Sequence, residues 1–293
     1  INSTLKGEHA FLEDGKLKLN WSAVLSKAFS ETPDNAEIYM LGSHVQSSKA
    51  AVRRWEHNSD KDKAGYIDLM YKWVLDNGTI FDFSAGGMYR DKKRDSFFNE
   101  YTFNSGTDSK DPQYIGEDWN NFDEVLFEPR PYGNISDPLN YDATEKIGAG
   151  YGMVKYTIGN WELIAGVRAE HTNQGYTLKF PTENANPEGK QVYTDILPSF
   201  HTKYVVHKNA NLRFSYARSI NRPSFFEIVP YSIINEDYKD KGNPDLKHTV
   251  ADNIDLRYEF FPKSSEQFMV GLFYKKLKNP IEYGLLNEGQ DTY

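Results

Sequence analysis

Apolar and polar residues alternate with a period of two along most of the chain. In the segment 161–172, Trp161, Leu163, Ala165, Val167 and Ala169 share one parity, and Glu162, Ile164, Gly166, Arg168, Glu170 and Thr172 share the other. Successive strand side chains point to opposite sides, so this pattern predicts a strand with one apolar and one mostly polar face. Ile254, Leu256, Tyr258 and Phe260 alternate with Asn253, Asp255, Arg257 and Glu259, and Leu212, Phe214 and Tyr216 alternate with Arg213, Ser215 and Ala217. Read this way, the chain holds about ten strands, near 1–11, 16–29, 64–75, 80–93, 143–158, 160–172, 192–206, 210–221, 248–261 and 267–278.

The connections alternate between short and long. The short ones are Glu13-Asp14-Gly15, Asp76-Asn77-Gly78, Gly159-Asn160, His207-Lys208-Asn209 and Pro262 to Glu266, several with the Asn and Gly that tight hairpins need for positive φ. The long ones span 30–63, 94–142, 173–191 and 222–247. Short turns on one rim and long loops on the other mark an outer-membrane barrel and have no cause in a β-sandwich. Strands of this length exceed the globular norm and suit tilted membrane strands. Trp73 and Phe81, Tyr156 and Trp161, and Phe260, Phe261 and Phe268 cluster beside the short turns, where an interfacial aromatic girdle belongs. Two stretches in the long loops read as short helices: Val45, Lys49, Val52 and Trp55 have amphipathic spacing, and Pro223 to Pro230 could hold a second.

Composition agrees with this class. In 293 residues, 39% are hydrophobic and 26% charged, so the chain has the makings of an ordinary folded protein. Mean hydropathy is −0.70, and no apolar run approaches the roughly 18 residues of a membrane helix; a membrane barrel leaves no such peak. A net charge of −8 argues against a nucleic-acid partner. The chain has no cysteine, hence no disulfide frame and no thiolate site. Its opening, INSTLKGEHA, lacks the parts of an export signal, so either a signal has been removed or the chain begins within a longer one.

Catalytic and metal chemistry is not indicated. Histidines 9, 44, 57, 171, 201, 207 and 248 form no ligand spacing. Gly148-Ala149-Gly150-Tyr151-Gly152 lacks the GK[ST] of a phosphate loop and lies within a strand. Its three glycines share one face, which suggests close approach by a neighbouring segment such as a plug. No GxSxG elbow is present. The sequence therefore predicts neither an enzyme nor a cofactor.

Several segments together resemble a known family. They are Gly86-Gly87-Met88-Tyr89-Arg90-Asp91-Lys92-Lys93-Arg94 with Tyr101-Thr102-Phe103, the stretch from Glu145 to Lys155, Gly166 to Thr172, and Asp195-Ile196-Leu197-Pro198-Ser199. The most specific run is Ser219-Ile220-Asn221-Arg222-Pro223-Ser224, then Gly242-Asn243-Pro244-Asp245-Leu246-Lys247, then Phe273-Tyr274-Lys275. In order and spacing these are similar to the barrel region of TonB-dependent outer-membrane receptors of the type common among Bacteroidetes. The resemblance implies an antiparallel up-and-down meander, part of a 22-strand barrel with a plug domain inside it. It also implies energised uptake of a nutrient such as a siderophore, glycan, peptide or vitamin, and as partners outer-membrane lipid, the plug, the TonB complex and a surface lipoprotein. The family's plug and final strands are not found, so residues 1–293 read as a barrel fragment whose unpaired edges would favour self-association.

Charge on a lipid-facing wall at mid-depth costs about 2–4 kcal/mol, so the polar face belongs in the lumen. Glu162, Arg168, Glu170, His201, Arg213 and Arg257 are accordingly predicted to face it. Near the long-loop rim, Arg90, Lys92, Arg94, Arg218 and Arg222, with the loop aromatics Trp119, Phe122 and Tyr132, are the candidate ligand contacts, because cations and aromatics together hold sugars, aryl siderophores or peptides. Two other classes fit the residues. One is a non-energised porin or adhesin barrel. The other is a soluble secreted glycan-binding sheet, which requires the Leu163/Val167 face to be buried in a core.

Overall fold

The computed structural model describes residues 1–12, 15–42, 44–45, 50–105, 125, 127–129, 139–181, 186–234, 239–263, 265–285, 287–288 and 291–292. In chain order the elements are β1 (Asn2–Phe11), β2 (Leu17–Ile38), β3 (Met40–Leu41), β4 (His44–Val45), β5 (Ala51–Val74), β6 (Ile80–Ser105), β7 (Phe127–Pro129), β8 (Tyr141–Ile158), β9 (Trp161–Leu178), β10 (Glu188–His207) and β11 (Ala210–Asn221). There follow α1 (Phe225–Ile228), β12 (Ser232–Ile234), β13 (Lys239–Lys241), β14 (Thr249–Lys263), β15 (Glu266–Lys278), β16 (Asn287–Glu288) and β17 (Asp291–Thr292).

Ten of these strands form one antiparallel meander in the order β1-β2-β5-β6-β8-β9-β10-β11-β14-β15, and β7 adds to β6 near its end. They are the ten strands expected from the alternation. Two hairpin turns show why their residues are there: Gly78 and Gly159 have φ of +79° and +52°, and the Asn77 side chain accepts the Thr79 amide at 3.0 Å.

Register fixes the two faces, because residues opposite each other across an antiparallel ladder point the same way. Leu163 lies opposite Tyr156 and Thr202, and Glu162 opposite Thr157 and Lys203. The apolar parity is open: Ile67 is 54%, Val167 49%, Ile196 54% and Leu272 70% exposed. Such a wide uncovered apolar face is the lipid wall of a barrel and is not the core of a soluble module, so the reading as a secreted glycan-binding sheet is withdrawn. At its short-turn end the rings pack as a girdle: Trp73 on Phe81 at 5.8 Å, Phe81 on Tyr156 at 4.8 Å and Trp161 on Tyr204 at 4.5 Å.

Three expectations need correction. The strands run further into the supposed loops. β6, at 26 residues, spans roughly 85 Å at about 3.3 Å per residue, well past a hydrocarbon core of about 30 Å. Alternation persists above the membrane, but both faces turn polar there, which hides it. The helix expected around Val45 to Trp55 is not found among the described residues: Val45 lies in β4, and Val52 and Trp55 lie in β5, where Trp55 meets Tyr101 edge-on at 5.8 Å. Lys49 of that reading lies outside the described residues. The helix expected between Pro223 and Pro230 is α1. Finally, Gly148, Gly150 and Gly152 lie opposite His171, Ala169 and Val167 on the lipid face. A Cβ at Gly148 or Gly152 would meet nothing within 4 Å, so they do not admit a plug.

The main buried cluster sits on the lumen face at the long-loop end. Phe98, Tyr141, Tyr176 and Leu178 of the wall pack against Phe225, Ile228, Val229 and Tyr231 of the β11–β14 connection. This connection therefore folds back onto the inner wall.

Candidate functional site at the long-loop rim

The cations of β6 alternate onto the lumen face because Arg90, Lys92 and Arg94 share parity with Gly86 and Phe98. Opposite them β5 presents Ala64, Asp62 and Asp60, and β8 presents Ile147, Glu145 and Ala143. Each cation meets a carboxylate. Arg90 binds Asp62, with Nε at 2.9 and 3.1 Å from its two oxygens, and its Nη1 stands 3.6 Å from Glu145. Lys92 Nζ is 3.2 Å from Asp60, and Arg94 takes the same carboxylate with two bonds of 2.6 and 2.8 Å. Burial alone would raise the Asp60 pKa, but hydrogen bonds and charge from Arg94 and Lys92 outweigh it and hold its carboxyl below the usual range. Tyr141, buried beside Arg94, is pushed up by desolvation, against the hydrogen bond and charge of Arg94.

The β11–β14 connection is laid over this row. Ser224 caps α1 through a reciprocal box: the Glu227 amide donates to Ser224 Oγ at 3.3 Å, and the Ser224 amide donates to Glu227 Oε2 at 2.6 Å. Phe225, 4% exposed, lies with its ring 5.4 Å from Lys92 Nζ and 5.6 Å from the Arg94 guanidinium carbon. Arg222 reaches down to Glu170 and donates through Nε to Thr172 at 3.0 Å. Gln174, fully buried, donates to the Pro223 carbonyl at 2.8 Å. Further on, the Asn243 amide donates to the Glu227 carbonyl at 2.7 Å, and the Asp245 amide to Asn243 Oδ1 at 2.9 Å. Gln191 Nε2 donates to the Leu246 carbonyl at 2.6 Å. His248 stacks on Tyr193 at 3.9 Å and lies 3.0 Å from Asp195. The segments 219–224 and 242–247, the most family-like in the sequence, are thus the two clamps that hold one inward-folded segment.

Of the rim candidates, Lys92 and Arg94 lie against Phe225 of α1, Arg222 is anchored just before it, and Arg90 stands beside them in the same row, paired with Asp62 and Glu145. Arg218 does not join them. It has the parity of Phe214 and Tyr216, faces the lipid side, and binds Asp252 with Nε at 2.8 Å beside the Tyr216 hydroxyl, which donates to the same carboxylate at 2.8 Å. Trp119, Phe122 and Tyr132 lie outside the described residues. The six lumen residues all have lumen parity. Glu162 pairs with Lys155 at 2.9 Å, Arg168 with Glu170, and Glu259 takes both Arg213 at 2.9 Å and Arg257 at 3.0 Å. His201 lines a cavity of 480 Å³ at the short-turn end with Glu162, Lys203, Arg213, Asp255 and Arg257. Sequence reading missed Asp60 and Asp62 because they fell in a supposed loop. The spacing that found the β6 arginines applies equally to them.

A family model described as outer membrane protein beta-barrel family matches residues 11–292. No curated protein matches the sequence. Among solved structures, the ferric citrate transporter FecA in the unliganded form superposes at TM-score 0.64 with 12% identity, over 99% of this chain and 37% of its own. The ferric yersiniabactin uptake receptor FyuA from Yersinia pestis gives 0.54 and 12%, over 94% and 35%. The ferric-catecholate import receptor Fiu from E. coli K12 gives 0.54 and 13%, over 95% and 40%. At these identities the likeness is one of fold, and the chain spans well under half the length of each. The fold expected of a partial outer-membrane barrel is the one found, its place is the bacterial outer membrane, and the chain belongs to the outer membrane protein beta-barrel family.

Proposed function

We propose that this chain is part of the barrel wall of an active outer-membrane receptor that takes up a nutrient, with TonB as its energy source and a plug domain within the barrel. The observation that carries the reading is the inward folding of the β11–β14 connection over its described residues 222–234 and 239–247. This segment is clamped at both ends and built against the wall by a buried aromatic cluster, so the rim presents a fixed polar and aromatic surface to an entering ligand. It forms a ledge at the rim where the long loops meet the lumen. Ligand reaching the barrel would meet the ledge and the cations Arg90, Lys92, Arg94 and Arg222 behind it. Those cations are paired with carboxylates, so they contribute to binding by shaping the ledge and by sharing their hydrogen bonds, and they are not free anion traps. The three structural neighbours named above are, by their descriptions, a ferric citrate transporter, a ferric yersiniabactin uptake receptor and a ferric-catecholate import receptor, which puts ferric chelates first among the substrates to try.

The test uses the full-length protein in its own cells. Uptake of a panel of ferric siderophores, oligosaccharides, peptides and corrinoids is compared between wild type and deletion strain, with and without a protonophore. Loss of uptake of one class in the deletion strain, and its collapse with the protonophore, is expected. Uptake that persists after the proton gradient is dissipated identifies a passive porin and ends the receptor reading.

A further inference from the structure

The lumen wall at the short-turn end holds a second group of cations, and its charges are balanced differently from those of the rim. Lys203 of β10, Arg213 of β11 and Arg257 of β14 lie opposite one another in one line across three adjacent strands. Like charges at that spacing repel. One buried carboxylate answers them: Glu259, 5% exposed, takes Arg213 Nε at 2.9 Å and Arg257 at 3.0 Å. Glu162, opposite Lys203 on its other side, is engaged by Lys155 at 2.9 Å. Lys203 makes no ion pair among the described residues, and the Arg257 side chain stays 51% exposed. Three cations thus share one carboxylate, whereas at the rim Arg90, Lys92 and Arg94 meet Asp62, Asp60 and Glu145.

The next line on the same face supplies different chemistry. His201, Ser215, Asp255 and Phe273 follow one another across β10, β11, β14 and β15. Residues two apart on one strand face are separated by about 7 Å, so Asp255 stands roughly that far from Arg257. The neighbouring arginines go to Glu259, and Asp255 makes no ion pair among the described residues. Phe273, its partner on β15, is 82% exposed. Gly271 lies opposite Arg257, and a Cβ there would meet nothing closer than 3.9 Å, so the corner between the arginine and the ring is open. These two lines wall the cavity of 480 Å³, a volume usual for small-molecule sites.

We propose that this cavity binds a small aromatic carboxylate bearing a hydroxyl or ammonium donor at the far end of its ring. The carboxylate lies on Lys203, Arg213 and Arg257, the ring runs along Phe273, and the donor meets Asp255. A para-substituted ring spans the step between the two lines, which a lone anion does not. The site depends on the lumen placement of this face and stands whether uptake is energised or passive.

The test is calorimetric titration of the full-length protein in detergent with 4-hydroxybenzoate, 4-hydroxybenzamide, benzoate and inorganic phosphate. Saturable binding of 4-hydroxybenzoate is expected, about tenfold weaker in Lys203→Gln and in Arg257→Gln, each of which removes one charged donor. Phe273→Ala is expected to weaken it by a similar factor. Asp255→Asn is expected to weaken 4-hydroxybenzoate several-fold and to leave benzoate unchanged, which a merely structural role of the carboxylate would not do. Lys208→Gln, in the adjacent turn, is expected to bind as wild type does. Equal binding of the carboxylate and its amide overturns the proposal. So does displacement of 4-hydroxybenzoate by phosphate at matched concentration, which assigns the row to any small anion. Wild type that binds none of the four also overturns it, and the cavity then belongs to another part of the whole protein, such as a plug. Folding of each variant is read from the heat-modifiable band; should Arg257→Gln lose the band, Lys203→Gln, whose lysine holds no carboxylate, carries the test. Binding in detergent needs no energy source, so its failure is separate from any failure of energised uptake in cells.

Discussion

Arg94 grips Asp60 across the β5–β6 ladder with two parallel hydrogen bonds of 2.6 and 2.8 Å. This fork fixes the plane of the guanidinium, and its carbon stands 5.6 Å from the Phe225 ring. A carboxylate on the wall thereby sets the surface on which a helix from a different connection rests. Lys92, 3.2 Å from the same carboxylate, widens that surface.

The dependence on pH has a definite sign. The Asp60 carboxyl titrates lower in the folded protein than in the unfolded chain, so its contribution is complete above the ordinary aspartate pKa of about 3.9 and is lost as pH falls through the depressed folded value. Hydrogen exchange at the α1 amides, corrected for intrinsic rate, is expected to be flat from neutral pH down to about 5 and to rise steeply below about 4. Asp60→Asn should bring the acid behaviour to neutral pH. Identical exchange in wild type and variant at neutral pH would show that the pair does not hold the helix.

Phe225 is the central member of the rim cluster. Phe225→Ala removes a buried ring, for which costs of about 3–5 kcal/mol are usual. The strands beneath keep their own ladders, so the loss is expected to appear as local release of residues 222–247. Limited proteolysis should cut that segment in the variant, while the heat-modifiable band of the full-length barrel survives. Simultaneous loss of the band would mean that the ledge supports the barrel itself.

Glycines in the family-like segments separate into two kinds. A Cβ on Gly242 would lie 1.9 Å from the Val229 carbonyl oxygen, whereas one on Gly148 would meet nothing within 4 Å. Gly242→Ala is therefore expected to open the same segment to protease as Phe225→Ala does, and Gly148→Ala to leave cleavage and band shift unchanged. A silent Gly242→Ala would disprove the close approach of the two limbs of the connection.

Much of this architecture was legible because alternation is a local signal. Leu163 and Glu162 declare opposite faces from their positions alone, and a turn such as Asp76-Asn77-Gly78 declares where the strand reverses. Above the membrane the signal fades. Lys61 and Asp62 in β5, or Lys93 and Arg94 in β6, are charged on both faces, and the strand continues there only because its neighbour does. The site was harder for a related reason. Arg90, Lys92 and Arg94 were readable as a row, but their pairing with Asp60, Asp62 and Glu145 depends on the register between strands. The meeting of Lys92 and Arg94 with Phe225 depends on a connection that crosses the lumen wall, and no spacing within 222–247 states where it lands. Arg218 was misplaced by proximity to Arg222: β11 ends at Asn221, so Arg218 keeps its strand position on the lipid side while Arg222, just past the end, turns inward to Glu170 and Thr172.

The assignment of faces itself can be tested at mid-depth. Val167 and Gly152 lie opposite each other on the lipid side, about midway between the Trp161–Tyr204 ring pair and the Lys146 level, and Ile164 lies three residues away on the lumen side with Lys155 and His201 as its partners. Val167→Arg would put a charge against hydrocarbon at a cost of about 2–4 kcal/mol. Ile164→Lys puts a charge of the same sign into a wall that already carries Glu162, Lys203 and Arg213, where water and carboxylates are at hand. The two variants share the sign of charge and lie about 10 Å apart along one strand, on opposite faces. In urea titrations of the full-length protein folded in bilayers, Val167→Arg is expected to lower the midpoint well below wild type and Ile164→Lys to leave it nearly in place. A reversal of that order would mean that the polar face meets the lipid, and the lumen side of Arg90, Lys92 and Arg94 would have to be reassigned with it.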